Sequence, residues 1–302
     1  MLPLIKRLVK DERGTVIVVI AVIFTILLGF VALSVDTGIL FMHNSRLGRA
    51  MDAAALAGAQ ELPDRDKARL AALDYASKNN IDPGTLNISF SVDNKQITLS
   101  GTRNVGLVFA RFLGFETSDV NARAVAEIQP ISISKGLLPV GISEDQLPLT
   151  EGVEYMLKGG AQDANPWRGI LQYPGCVGAA DFRKLAREGY TENVKIGDTE
   201  GKEVGDKAGP TLQGISDRLE TCTHGCTWDH YTEGCLRICL VPIYRDIGES
   251  VIIVGFASVF VERVDGVGNE SRLWARYINH TMSGETDDSI TNSFLNSVRL
   301  VE

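Results

Sequence analysis

The sequence predicts an α+β protein hung from one N-terminal membrane-spanning helix, and three observations carry that expectation. An uncharged run extends from Thr15 to Val35, helix-favouring residues continue unbroken to Pro63, and the end of the chain alternates as antiparallel strands do. In order, these predict a single transmembrane helix continuing into a protruding helix, a small α-β-β-α-β unit, and a β-rich antiparallel C-terminal domain. The expected boundaries are a cytoplasmic tail at 1–14, the helix at 15–62, the small unit at 63–129 and the β-rich domain at 130–302.

The anchor is read from length and from the lack of a polar face. At about 1.5 Å per residue, the uncharged run spans roughly the 30 Å hydrocarbon core of a bilayer. Val, Ile, Leu and Phe occupy every side of it, so a soluble surface helix is excluded. A cleavable signal would have a shorter apolar region and a small-residue cleavage site, whereas this run leaves through Leu33, Ser34, Val35, Asp36 and Thr37. Lys6, Arg7, Lys10 and Arg13 crowd the N-terminal flank, against Arg46 and Arg49 on the other, so the N-terminus is expected in the cytoplasm. Asp36 to Glu302 then lie outside, on a single-pass protein of the cell membrane.

Beyond the run, Ala50, Ala54 and Gly58 recur every four residues and form a helix-packing strip along which a second backbone can approach closely. The expected contact is with the domain's own elements. Pro63, with Asp64 and Asp66 after it, starts a second helix that ends near Asn79 and Asn80. The alternating runs "LNISFSV" and "KQITLSG" flank Asp93 and Asn94 as a hairpin. "VGLVFARFLG" reads as a short helix stopped by Gly114, and "DVNARAVAEI" as a strand. After Pro130 the chain is rich in Gly and short strand-like pieces. It ends on "LRICLVPIY", "SVIIVGFASVFVERV" and "SRLWARYI", which predict an antiparallel meander. In the last of these, Trp274 and Arg276 share one face and Leu273, Ala275 and Tyr277 the other.

The chain has 302 residues and a formal charge of −8. Residues 1–35 are net +2, which leaves −10 on the remainder, a balance unsuited to nucleic acid or to anionic lipid headgroups. Phosphate-loop, H-E-x-x-H and EF-hand patterns are absent from the sequence, so neither cofactor nor small-molecule substrate is expected.

The segment from Glu12 to Leu62 closely resembles the N-terminal segment of the TadG-like and TadE-like proteins associated with Flp, or tight-adherence, pili. The matching features are Arg13-Gly14 before the apolar run, Val35-Asp36 with Gly38 after it, and the stretch from Arg49 to Ala57. The later "VFARFLGFETSDVNARAVA" is similar to the family's following helix-turn-strand. The resemblance implies a membrane-anchored protein with a structural or assembly role in a pilus or secretion apparatus. Its partners would be the bilayer and other apparatus proteins, and it would perform no catalysis. Pseudopilins of this system usually carry Glu at the fifth position after the cleaved Gly. Counted from Gly14 that position is Val19, which argues against packing as a true pilin.

The strongest chemical signal is Cys222, Cys226, Cys235 and Cys239, spaced C-x3-C-x8-C-x3-C, with Cys176 left over. Outside the cytoplasm disulfides are the default. A hairpin register that sets Cys222 opposite Cys239 also sets Cys226 opposite Cys235, giving two nested bridges. Residues four apart on a strand lie about 13 Å from each other, too far to bridge. The alternative is a structural zinc site on the same four cysteines, with His224 and His230 as substitute ligands, within an anchored extracellular binding module. A thiol nucleophile served by His224, His230 or His280 is not demanded by any spacing. Trp167, Trp228 and Trp274 are expected as core and strand residues rather than as a binding face.

Overall fold

The computed structural model describes residues 12–159, 169–203, 205, 207–232, 234–266, 270–290 and 293–301, with side chains from Val16 onward. Lys6, Arg7, Lys10, the Arg13 side chain and Trp167 lie outside the described residues. The chain divides into two compact units, 1–126 with 300–302 and 127–299.

In the first unit, helix α1 runs from Glu12 to Gln60 without a break, 49 residues or about 73 Å. It is long and apolar enough to cross a membrane. From Val16 to Val31 every side chain is exposed. The hydroxyls of Thr25 and Ser34 donate back to the carbonyls of Ala21 and Phe30, both at 2.8 Å, so these polar groups need nothing from solvent. The far end has the opposite character, with Leu47, Ala50, Met51, Ala54, Ala55, Ala57 and Ala59 all buried.

What buries that end follows from local sequence. Asp64 caps helix α2 (Arg65–Lys78) by accepting from the N–H groups of Asp66 and Lys67. α2 turns Ala68, Ala72 and Ala76 inward, and small residues on both helices let the axes approach closely. Strands β1 (Leu86–Phe90) and β2 (Gln96–Gly106) pair antiparallel, and β3 (Thr117–Pro130) lies beside β2. Ile97 and Leu99 are fully buried beneath the helices. The element expected as a short helix between β2 and β3 is a single 3-10 turn, Ala110–Leu113, closed by Gly114 at φ 94°.

The second unit is β-rich and mostly antiparallel. Its short early strands are β4 (Ile133–Ser134), β5 (Ile142–Ser143), β6 (Glu154–Lys158) and β7 (Leu171–Gln172). Helix α3 (Ala179–Glu188), strands β8 (Val194–Lys195) and β9 (Thr199–Lys202), and helix α4 (Ala208–Thr221) follow. Long strands β10 (Ile238–Asp246) and β11 (Ser250–Asp265), then β12 (Arg272–Tyr277) and β13 (Asn296–Leu300), complete the chain. The main sheet has the order β5-β10-β11-β12-β6, with β9 also on β11. β10, β11 and β12 form the expected antiparallel meander, while β5 joins parallel to β10.

Leu273, Ala275 and Tyr277 face inward, which settles the face of β12. They join Val241, Ile243, Val259 and Val261 in a core closed by Phe182, Ala186 and Ile215 of the two helices. α3 and α4 were not expected. They meet at Gly214, where a Cβ would come within 2.6 Å of the Arg183 carbonyl.

Candidate functional site

The apolar run ends at Asp36, and the structure gives that carboxylate a defined task. It is 5% exposed, although it stands just beyond a helix face left open throughout. One oxygen accepts from the Val108 N–H at 2.8 Å, the other from the Ala110 N–H at 2.6 Å, and the Phe109 N–H lies 3.2 and 3.1 Å from the pair. These donors open the 3-10 turn, where backbone N–H groups have no partner within the turn itself. A carboxylate accepting several backbone N–H groups satisfies donors and acceptor together. In the sequence Asp36 marks the end of the apolar run and belongs to the Val35-Asp36 pair of the family resemblance, with no partner assigned to its carboxylate. The available signal was that a lone acid beside a membrane span requires a partner.

Beside this junction, α1 and the turn line an apolar groove of about 510 Å³. Leu28, Val31 and Leu33 form the helix side, and Phe109, Phe112 and Leu113 the other. The packing strip lies further along α1. Ala50 and Ala54 are buried, and a Cβ at Gly58 would come within 2.7 Å of Ile97 Cδ1 and 2.9 Å of the Ala68 carbonyl.

The second candidate lies where α4 ends. Cys222 is the C-terminal cap of α4, Cys226 precedes a turn in which Thr227 and His230 pair, and Cys235 donates its N–H to the Thr232 carbonyl. Their three Sγ atoms lie within 4.8 Å of one another, with Cys222 and Cys235 at 3.6 Å. Phe260, Ile278, Trp228 and Tyr231 pack around them. Arg237 pins the loop to β11 by donating to the carbonyls of Val261, Glu262 and Cys226 while stacking 4.3 Å over the Phe260 ring.

The thiols differ in acidity. Hydrogen bonds from the Thr232 backbone and hydroxyl bring Cys226 down to about 7, whereas burial pushes Cys235 up to about 11. Cys239 stands in the main core with its Sγ 2.9 Å from an Arg218 guanidinium nitrogen, and burial raises it as well. The structure therefore brings Cys222, Cys226 and Cys235 together and places Cys239 beside Arg218. His224 and His230 are exposed, and among the described residues the metal-capable group consists of the three cysteines. His280 stands edge-on to Tyr231 with ring centroids 6.4 Å apart. Cys176 is half-buried at the edge of a second core built around stacked Tyr173 and Tyr190.

Residues 14–61 match the family model described as putative Flp pilus-assembly, TadE/G-like. The matched segment covers nearly all of α1, including Asp36, Ala50, Ala54 and Gly58. No curated protein and no solved structure matches the chain.

Proposed function

We propose, from the TadE/G-like pilus-assembly segment in α1, that this chain is a single-pass membrane protein with a structural or assembly role in a Flp-type pilus or secretion apparatus. The N-terminus lies in the cytoplasm and the bulk of the protein outside it. The protein acts by helix insertion and by contacts with other apparatus proteins, and performs no reaction of its own. The observation that carries this reading is the coincidence of the matched segment with a helix whose apolar side chains are exposed on every side over Val16–Val31. Deleting the gene in an organism that makes such pili is expected to abolish surface filaments, with recovery on re-expression. Normal filaments in the deletion strain would refute the role.

A second reading, an extracellular module holding structural zinc, is favoured by one observation. The 3.6 Å between Cys222 and Cys235 Sγ is close to the sulfur separation of about 3.8 Å expected for two thiolates on tetrahedral zinc with bonds near 2.3 Å. The three cysteines fit three of four ligand positions. Zinc at one equivalent per chain in protein purified without added metal supports this reading, and its absence returns the cluster to disulfide chemistry.

A further inference from the structure

The segment from Leu107 to Phe115 leaves the β-sheet of the first unit and turns back along α1. Phe112, Leu113 and Phe115 are 78%, 79% and 65% exposed, an apolar cluster that is costly in water. Its position against the helix is defined. Phe112 and Leu113 line the same groove as Leu28, Val31 and Leu33, and Leu28 lies eight residues, or about 12 Å, before Asp36 along the axis. On the anchor reading of Thr15–Val35, on which this inference rests, that level is inside the leaflet on the Asp36 side.

Irregular backbone at such a depth is tolerated only where its polar groups are satisfied by protein. Here seven N–H groups of the loop have a protein acceptor. Asp36 takes the N–H groups of Val108, Phe109 and Ala110. Leu107 donates to Glu116, Phe112 to Phe109, Gly114 to Arg111 and Phe115 to Ala110, at 2.9 to 3.1 Å. Arg111, with its guanidinium 5.4 Å from the Phe112 ring centre, is long enough to reach the headgroups while its stem lies along apolar surface.

We infer that this loop is a second membrane contact, in which Phe112 and Leu113 insert among the lipid acyl chains of the extracytoplasmic leaflet beside the anchor. Asp36 locks the inserted loop to the helix. One helix alone leaves a domain free to swivel about its axis, and a wedge bonded to that helix sets which face looks along the membrane.

The test is tryptophan quenching in the full chain reconstituted into phosphatidylcholine vesicles, with acyl chains brominated at mid-depth. Phe112→Trp, Phe24→Trp in the anchor and Val92→Trp, at a hairpin position 99% exposed, are each compared with the wild type. The expected result is that the added emission of Phe24→Trp and Phe112→Trp is mostly lost to the brominated lipid, while that of Val92→Trp is retained and instead lost to aqueous iodide. Quenching of Phe24→Trp but not of Phe112→Trp overturns the loop contact and leaves the anchor standing. Loss at neither position overturns both. Emission from Phe112→Trp shielded from lipid and iodide alike means that a second copy covers the groove, which also overturns the inference.

Discussion

The carboxylate of Asp36 accepts a hydrogen bond from the backbone N–H of Ala110 at 2.6 Å, tying the end of the apolar run of α1 to a loop 74 positions away in sequence. The same group holds Val108 and Phe109, so a single side chain fixes one turn of backbone to the helix.

Removing it should free that turn. Asp36→Ala is expected to raise amide hydrogen exchange at Val108, Phe109 and Ala110 by roughly tenfold or more, with exchange elsewhere in α1 unchanged. Asp36→Asn, which keeps one acceptor oxygen, is expected to fall between. Unchanged exchange in Asp36→Ala would show that the turn is held by its own packing.

Glycines along α1 should respond in opposite directions. Gly58→Val meets Ile97, the Ala68 backbone and the Ala72 methyl, and is expected to destabilise by about 1–3 kcal/mol through overpacking. A Cβ at Gly48 meets nothing within 4 Å, so Gly48→Ala is expected to stabilise by up to about 1 kcal/mol through helix propensity. Thermal melts of the two variants check the pair together.

Stability of the second unit should fall as pH rises through neutrality. Burial, with a smaller contribution from the Asp198 charge, pushes Glu200 up to about 7. Between the ordinary Glu value near 4.5 and about 7, the folded state binds the extra proton. The stability from this group is therefore complete below about 4.5 and lost as pH rises through 7. The loss is on the order of 1–2 kcal/mol once solvent screening is included, and Glu200→Gln should flatten it. Denaturant melts from pH 5 to pH 8 supply the comparison.

The thiols make a countable prediction. One disulfide among the clustered three leaves three thiols open, so alkylation in denaturant without reduction should label Cys176, Cys239 and one of Cys222, Cys226 and Cys235, which the structure groups while it leaves Cys239 with Arg218. Four cysteines blocked until reduction would instead support nested bridges of Cys222 with Cys239 and Cys226 with Cys235. Cys222, Cys226 and Cys235 labelled only after a chelator is added would move the cluster to zinc.

Much of this architecture is written locally in the sequence. The unbroken apolar run dictates α1, Asp64 dictates the start of α2, and the alternation of Leu273, Ala275 and Tyr277 dictates β12 and its buried face. The helices α3 and α4 were obscured by glycines around them and by short amphipathic patterns. That omission affects the cysteines, because the nested register treats both flanks of the hairpin as extended. Cys222 ends a helix, so only the Cys239 side continues as a strand. The Asp36 lock is illegible for a different reason. Its donors are backbone N–H groups, which every residue except proline supplies, and no residue type marks them.

The orientation of the chain is tested most directly by proteolysis of right-side-out and inside-out membrane vesicles carrying the full-length protein. Residues beyond Asp36 are expected to be digested in right-side-out vesicles and protected in inside-out ones, with a short α1 fragment retained in the bilayer. Digestion of the bulk in inside-out vesicles alone, or release of the intact chain by an alkaline wash, would contradict this placement.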